Sequence, residues 1–414
     1  MNFASVMSWS ALQTITRLGL GLISMKLTAV TFGSEGVGLM AQIGTFISLA
    51  SGLFSSGASM AIVRLYHDVK TIPSRLTGLI NNSIWIAIAC ALCMLVLILA
   101  SNPLSQFLFG SPHYTLAVVV ALACIPLTVA GTLLQAWLNA KEQIKSLYIG
   151  QIVVNIAGFI VVYMAITSKA LDVTLIGIAV SYALPAIYFG LLIALRSDRK
   201  PSEFKPPSGI SQLVKFYPML IVHAIAMPAT LLLVRWSMTE REGIDAMGGW
   251  QAGWRLSEIY MGVITTAAST YFAPKLAAVV DDFVEFRKVA LQLFASVLIP
   301  VVCTAIFLMV CRSWVIPLIF SNTFVLTEQM LPMQLLGDLP RALHWCTGLL
   351  LVTLIARTAY IGLELLGIGL VAIFTVGLQE QVTNVIGTAF FLSYLVSGTI
   401  GLVYIYRKVL RQPR

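Results

Sequence analysis

Residues 248–271 read GGWQAGWRLSEIYMGVITTAASTY: long enough for one membrane-spanning helix, yet carrying Arg255 and Glu258 near its middle. An ionised side chain at bilayer depth costs at least about 2.5 kcal/mol, so such groups mark functional sites by default. Three residues apart on a helix, Arg255 and Glu258 share a face and partly neutralise each other. Gln251 and Glu258 bracket that face, and Trp250 and Trp254 stand beside it one turn apart. A charged, aromatic-edged stripe of this kind is expected to face a polar cavity rather than lipid.

The rest of the chain supplies more helices of the same length. Its 414 residues are 58% apolar and 10% charged, with a mean hydropathy of +0.91. Soluble domains carry about 25% charged residues, so the composition is that of an all-α polytopic membrane protein. Runs of about 20 apolar residues predict twelve spans, at 6–31, 36–65, 77–101, 114–139, 144–167, 173–196, 212–236, 246–273, 288–311, 329–355, 358–379 and 383–406. The opening MNFASVMSWS lacks the basic start and the cleavage site of a secretory signal, so the first span is expected to be a true one. Cys90 and Cys93 are spaced like a redox or metal pair, but on an apolar helix they read as packing residues.

Basic residues orient the chain. With both termini cytoplasmic, eighteen of the twenty-six Lys and Arg fall on inside loops and the tail. Lys169, Arg235, Arg241 and Arg312 fall on outside loops and helix ends, and Arg17, Lys26, Arg255 and Arg341 lie within helices. This is the bias that the positive-inside rule predicts.

The sequence also repeats at an offset near 210. The loop FGSEGVG (32–38) and the helix after it match the region around 246–253, with Gly38 on Gly248, Ala58 on Ala268 and Ser59 on Ser269. Leu108-Phe109 matches Ile319-Phe320, and Tyr148-Ile149-Gly150 matches Tyr360-Ile361-Gly362. Six spans per half is an even number, so the halves run in the same orientation, related by a pseudo-twofold along the membrane normal. The expected organisation is a six-helix bundle over 1–197, a charged, proline-bearing linker over 198–211 and a second six-helix bundle over 212–414. This is the architecture of an alternating-access transporter.

The other ionisable residues placed inside spans are Arg17 and Lys26 on the first, Asp338, Arg341 and His344 on the tenth, and Glu364 near the start of the eleventh. Asp338, Arg341 and Trp345 recur at helical spacing and share a face. His223 and His344 are candidates to relay protons, and Trp250 and Trp254 to stack on sugar rings or to sit in an interfacial belt. Basic groups outnumber Glu258, Asp338 and Glu364, which suits an anionic ligand. Arginine pairs with phosphate bidentately through its planar fork. The sequence holds no phosphate-cradling GxxxxGK[ST] run, metal-ligand cluster or nucleophile triad, so neither direct ATP use nor an enzyme is expected.

Four stretches carry a family resemblance: KLTAVTFGSEGVG (26–38), RLYHD (64–68), Trp250-Gln251 followed by Ser257-Glu258-Ile259-Tyr260, and QLLGD (334–338) followed by Arg341. On these, almost end to end, the chain resembles the Wzx-type flippases of the multidrug/oligosaccharidyl-lipid/polysaccharide exporter superfamily. It is most like those for O-antigen units and for lipid III of enterobacterial common antigen. The resemblance implies two bundles of six helices in a V, as in multidrug exporters of that superfamily. It also implies translocation of an undecaprenyl-pyrophosphate-linked oligosaccharide from the cytoplasmic to the periplasmic leaflet of the bacterial inner membrane.

A cationic cavity is implied with it, and Arg17, Arg64, Arg255 and Arg341 are the positions here that can build one. Glu258, Asp338 and Glu364 are the coupling or ion-pair candidates, with H⁺, Na⁺ or the membrane potential alone as the drive and no cofactor. The expected partners are the lipid-linked glycan, the bilayer, and a glycan polymerase and chain-length regulator of the same pathway; nucleic acid is not among them. Two alternatives stay open. A multidrug or cation antiporter of the same superfamily wants a net-acidic cavity. A polytopic glycan polymerase or ligase wants a long outer loop, and the largest here spans about ten residues around 239–245.

Overall fold

A computed structural model of the chain describes residues 3–69, 73–196, 217–354, 356–377 and 382–407. A backbone crossing lipid has no water to satisfy its N–H and C=O groups, so it closes its hydrogen bonds within helices. The described elements are α1 (Phe3–Val69), α2 (Pro73–Ile98), α3 (Ser101–Phe109), α4 (Thr115–Ala140), α5 (Ile144–Thr167), α6 (Leu171–Arg196), α7 (Tyr217–Glu242), α8 (Ile244–Ala278), α9 (Phe283–Ile319), α10 (Val325–Thr353), α11 (Arg357–Gly377) and α12 (Val382–Ile405). A 3₁₀ turn at Pro112–Tyr114 precedes α4.

Two departures from the expected spans have local causes. The first two predicted spans run together as α1, bent at Gly33, whose φ of 67° and ψ of −154° leave the helical region. Only a residue without Cβ adopts that conformation freely. The third predicted span is followed by the short helix α3, which ends at Gly110 in the left-handed conformation, its N–H donating to the Gln106 carbonyl at 2.9 Å. That αL cap terminates the helix.

Packing divides the chain into two compact units. One comprises Met1–Phe32 and Leu39–Leu232; the other comprises Gly33–Gly38 and Leu233–Arg414. The division falls within α7, while the predicted linker over 198–211 lies outside the described residues. Inside the first unit, α4 packs along α6, with α5 against α6 and α2 against α4. Inside the second, α10 packs along α12, with α11 against α12 and α9 against α10. The same order of neighbours recurs in each half, as the sequence repeat leads one to expect.

The repeat also survives at single residues. Gly33 and Gly243 lie 210 positions apart, both have positive φ, and each precedes a long helical stretch. Ala58 and Ala268 are both buried, as are Phe109 and Phe320.

Among the described residues, eight helical stretches are long and apolar enough to cross a membrane by length and composition, α1 counting once among them. Helices α7, α8 and α10, at 26, 35 and 29 residues, have the length but not the apolarity. Helices α8 and α10 are buried over part of their length and exposed elsewhere, at Val263 and Tyr271 of α8 and at Met333 and Leu336 of α10. Every residue from Ala246 to Trp254 is buried, so this part of α8 is enclosed on all sides.

Small residues make that enclosure possible. The α1 kink lies against the start of α8, where Ser34 Oγ donates to Asp245 Oδ1 at 2.5 Å. A Cβ on Gly248 would run into the Ser34 carbonyl. On another side, Thr327 Oγ1 of α10 donates to the Gly249 carbonyl at 2.7 Å.

Gly248→Ala is therefore expected to destabilise the protein by about 1–3 kcal/mol, the usual range for overpacking. Gly262→Ala, on the same helix but facing open space, should be neutral or stabilise by up to about 1 kcal/mol. Thermal unfolding of both variants in detergent checks the contrast.

Candidate functional site

The second unit gathers most of the ionisable residues that the sequence places inside spans. Arg255 and Glu258 meet as their spacing requires, with Nη1 donating to Oε2 at 3.0 Å. Their side chains remain 38% and 31% exposed, so the pair opens to one side. Asp338 of α10 is fully buried. It accepts from the Tyr260 hydroxyl of α8 at 2.6 Å and from Arg341 Nη1, one turn along α10, at a longer 3.4 Å. Asp338 is thus held mainly by the tyrosine, and Arg341 is the looser partner.

The second hold on Arg341 is aromatic. Its guanidinium lies 4.3 Å above the centre of the Trp254 ring, a cation–π contact that ties it to α8. Trp254 stands 4.9 Å from Phe390 of α12, and Phe390 stacks on Trp250 at 6.2 Å and on Tyr394 at 5.9 Å. Both indoles are essentially inaccessible. In this conformation the two tryptophans, the sugar-stacking candidates, form an aromatic column between α8 and α12, with Arg341 against its Trp254 member.

Sequence reasoning placed Arg235 at an outside helix end, and the structure corrects this. Arg235 lies inside α7, 1% exposed, and its Nε donates to Gln251 Oε1 on α8 at 2.9 Å. A buried guanidinium needs acceptors, and Gln251 on the charged face of α8 supplies one. The available signal was the run LLLVRWSM (231–238), where arginine interrupts an apolar segment several residues before the polar stretch TERE.

Glu364 and His344 come together from α11 and α10, with His344 Nε2 3.9 Å from Glu364 Oε2. Arg17 and Lys26 lie on the part of α1 in the first unit, Arg17 exposed and Lys26 half-buried. Arg64 is on α1 as well, but its side chain, like that of His223, lies outside the described residues. The interior of the second unit therefore sets Arg235, Arg255 and Arg341 against Glu258, Asp338 and Glu364. Among these described residues the charges balance, and of the three arginines Arg255 and Arg341 keep an exposed edge, 38% and 17% of the side chain. An incoming anion there would compete with an existing carboxylate or amide partner rather than meet bare charge.

The partnership around Asp338 is testable. Tyr260→Phe is expected to lower stability by about 1.5–3 kcal/mol, the range for a hydrogen bond to a charged group. Combined with Asp338→Asn it should lose less than the sum of the single variants, because the two side chains act as a pair. Unfolding of the four proteins of that cycle in detergent checks it.

Comparison with known proteins covers nearly the whole chain. The family described as polysaccharide biosynthesis protein matches residues 4–278. The lipid III flippases of Escherichia coli (strain K12) and Shigella flexneri are each 27% identical over 380 residues, covering 90% of this chain and 91% of theirs. Among solved structures, an inward-facing multidrug resistance MATE family transporter of the MOP superfamily superposes with a TM-score of 0.74 at 15% identity, covering 96% of this chain and 94% of that one. A MOP superfamily transporter from Pyrococcus furiosus, described as having a binding pocket of reversed polarity, superposes at 0.70 with 12% identity, covering 98% and 95%. These structural likenesses establish the fold: an all-helical multi-pass membrane protein of the MOP/MATE type.

Proposed function

The chain belongs to the polysaccharide biosynthesis protein family, and we propose that it is a flippase for an oligosaccharide carried on undecaprenyl pyrophosphate, an O-antigen unit or lipid III. The observation that carries this reading is that Arg255 on α8 and Arg341 on α10 keep an exposed edge, 38% and 17% of their side chains. Arg341 is held over the Trp254 ring and only loosely by Asp338. A planar guanidinium fixed in this way is pre-organised for bidentate contact with phosphate oxygens. The end-to-end likeness to lipid III flippases supports the choice of lipid-linked glycan over drug.

On this reading the pyrophosphate exchanges with Glu258 and Asp338 for the two arginines, and the polyprenyl tail stays in lipid. When the arginines turn to the phosphates, Asp338 keeps the Tyr260 hydroxyl as its donor and Glu258 is left on the partly exposed side of α8. Arg17 and Arg64 on α1 are the further basic positions that guide the head group. An inside-negative potential favours outward movement of the anion by about 2.3 kcal/mol per charge per 100 mV.

The chain sits in the bacterial inner membrane with both termini cytoplasmic, a placement supported by its distribution of basic residues. It delivers its glycan to a polymerase and chain-length regulator of the same pathway. Its work is transport rather than bond making.

Complementation of flippase-null cells that make a matched surface glycan tests the proposal. The wild type should restore the glycan. Arg341→Ala and Arg255→Ala, at equal membrane level, should each lower it by about 10- to 100-fold in apparent affinity, the equivalent of about 1.5–3 kcal/mol for a charged hydrogen bond. Arg341→Lys should recover only part, because an ammonium keeps the charge but loses the fork. No rescue by the wild type across several glycan backgrounds would overturn the reading in favour of drug export.

A further inference from the structure

Helix α9 has two unlike faces. Phe286, Leu293, Val297 and Val301 are buried against the second unit, while Leu291, Ile299, Ile306 and Val310 on the opposite face are exposed. On a membrane-spanning helix an exposed apolar stripe of this kind is covered by lipid. At the start of α9 the same stripe changes character. Val284, Arg287, Lys288, Leu291, Gln292 and Ala295 line a groove of about 520 Å³. Their three- and four-residue spacing makes them one continuous face. Two cations and an amide are set into an apolar wall, and no carboxylate is among these six.

Helix length places the groove at the edge of the bilayer. About 20 residues cross the hydrocarbon core, and α9 has 37, so it reaches into the headgroup layers. The end of α8 marks the same level, because only residues 279–282 separate the two helices. Tyr271 and Lys275 are exposed there, with Lys275 Nζ 4.0 Å from the centre of the tyrosine ring. Tyrosine and lysine anchor helices where hydrocarbon meets water.

The acidic groups nearby leave the groove cationic. Asp282 is turned onto its own helix, where Oδ1 accepts from the N–H groups of Val284 and Glu285 at 3.0 and 3.1 Å. Glu285 meets Lys288 at 3.1 Å, but both side chains are exposed, and a pair of that kind holds weakly. Arg287 has no carboxylate partner among the described residues. An anion in the groove therefore meets one free guanidinium, and an ammonium that a surface pair readily gives up.

We propose that this groove binds the headgroup phosphate of an anionic phospholipid from the leaflet around α9. Arg287 pairs with the phosphate through its fork and Lys288 adds a second charge. One acyl chain lies along Leu291, Ala295 and Ile299. A phospholipid fits better than a soluble phosphate because the cations and the lipid-facing stripe are continuous. The site is separate from Arg255 and Arg341, and it stands whether or not the cargo is a glycolipid. Since α9 packs on α8 and α10, which carry those two arginines, the lipid braces the helices that hold them.

Native mass spectrometry of the full-length protein, delipidated in detergent and free of glycolipid, tests the site. Dioleoylphosphatidylglycerol should bind at least about 10-fold more tightly than dioleoylphosphatidylcholine, and millimolar inorganic phosphate should not displace it. Arg287→Gln and Lys288→Gln should each weaken phosphatidylglycerol binding by about 5-fold, the equivalent of about 1 kcal/mol per cation beside an anionic surface. The double variant should lose both factors and bind the two lipids alike. Arg312→Gln, towards the other end of α9, should leave both affinities unchanged.

Thermal unfolding confirms that each variant is folded, and Arg287→Gln alone decides if the double variant is not. Equal binding of the two lipids by wild type, displacement by free phosphate, or full phosphatidylglycerol affinity in a folded Arg287→Gln protein would each overturn the proposal. So would an equal loss in Arg312→Gln, which would make the effect one of overall charge. A groove that takes a pyrophosphate-linked glycolipid but not phosphatidylglycerol would also overturn it and assign these residues to the cargo. Phosphatidylglycerol binding without any flipping would leave the lipid site standing and bring down the flippase reading.

Discussion

An arginine inside a bilayer has to find its acceptors within the protein, and the second half of this chain is built around that requirement. Hydrocarbon offers a guanidinium no acceptor, and an unmatched one costs several kcal/mol. Arg235, Arg255 and Arg341 are each met by a named group: Gln251, Glu258 and, for Arg341, Asp338 with the Trp254 face. Those partners lie on α8 and α10, so these two helices bring polar faces to the interior and, with α7, fall short of the apolarity of a lipid-facing span. The surrounding helices, α9 among them, turn Ile306, Val310 and Leu318 outward instead.

Enclosing a charged helix needs close approach, and α8 achieves it with small residues over its first turns. The Ser34 carbonyl lies against Gly248, and Thr327 bonds the Gly249 carbonyl. A larger side chain at Gly248 would push α8 off the α1 kink and loosen the packing that shields Trp250 and Trp254. The kink depends in turn on Gly33, and its counterpart Gly243 leads into α8. A short glycine-bearing segment thus positions the charged stripe without itself carrying charge.

Much of the site was legible because helical periodicity is a local rule. Arg255 with Glu258, and Asp338 with Arg341, are three residues apart, and both pairs meet in the structure. Arg235 was misread for a physical reason: near the end of an apolar run, a basic residue that snorkels and one that is buried look alike, and only a neighbouring acceptor distinguishes them. The tryptophans are a similar case. Their one-turn spacing is compatible with a sugar platform, an interfacial belt or an internal stack, and the presence of Phe390 on α12 decides for the stack in this conformation.

The sequence alone determined the class of the protein: helical, multi-pass, internally repeated, with polar faces on α8 and α10. Those features follow from span length, composition and the 3.6-residue turn, which neighbouring residues encode directly. The tertiary structure decided which groups meet across helices: Tyr260 with Asp338, Arg235 with Gln251, and His344 with Glu364 and Ser397. These contacts join residues 16 to 78 positions apart. They depend on how far one helix is rotated and slid against another, and that geometry is set by packing around small residues rather than by the pattern of any single helix.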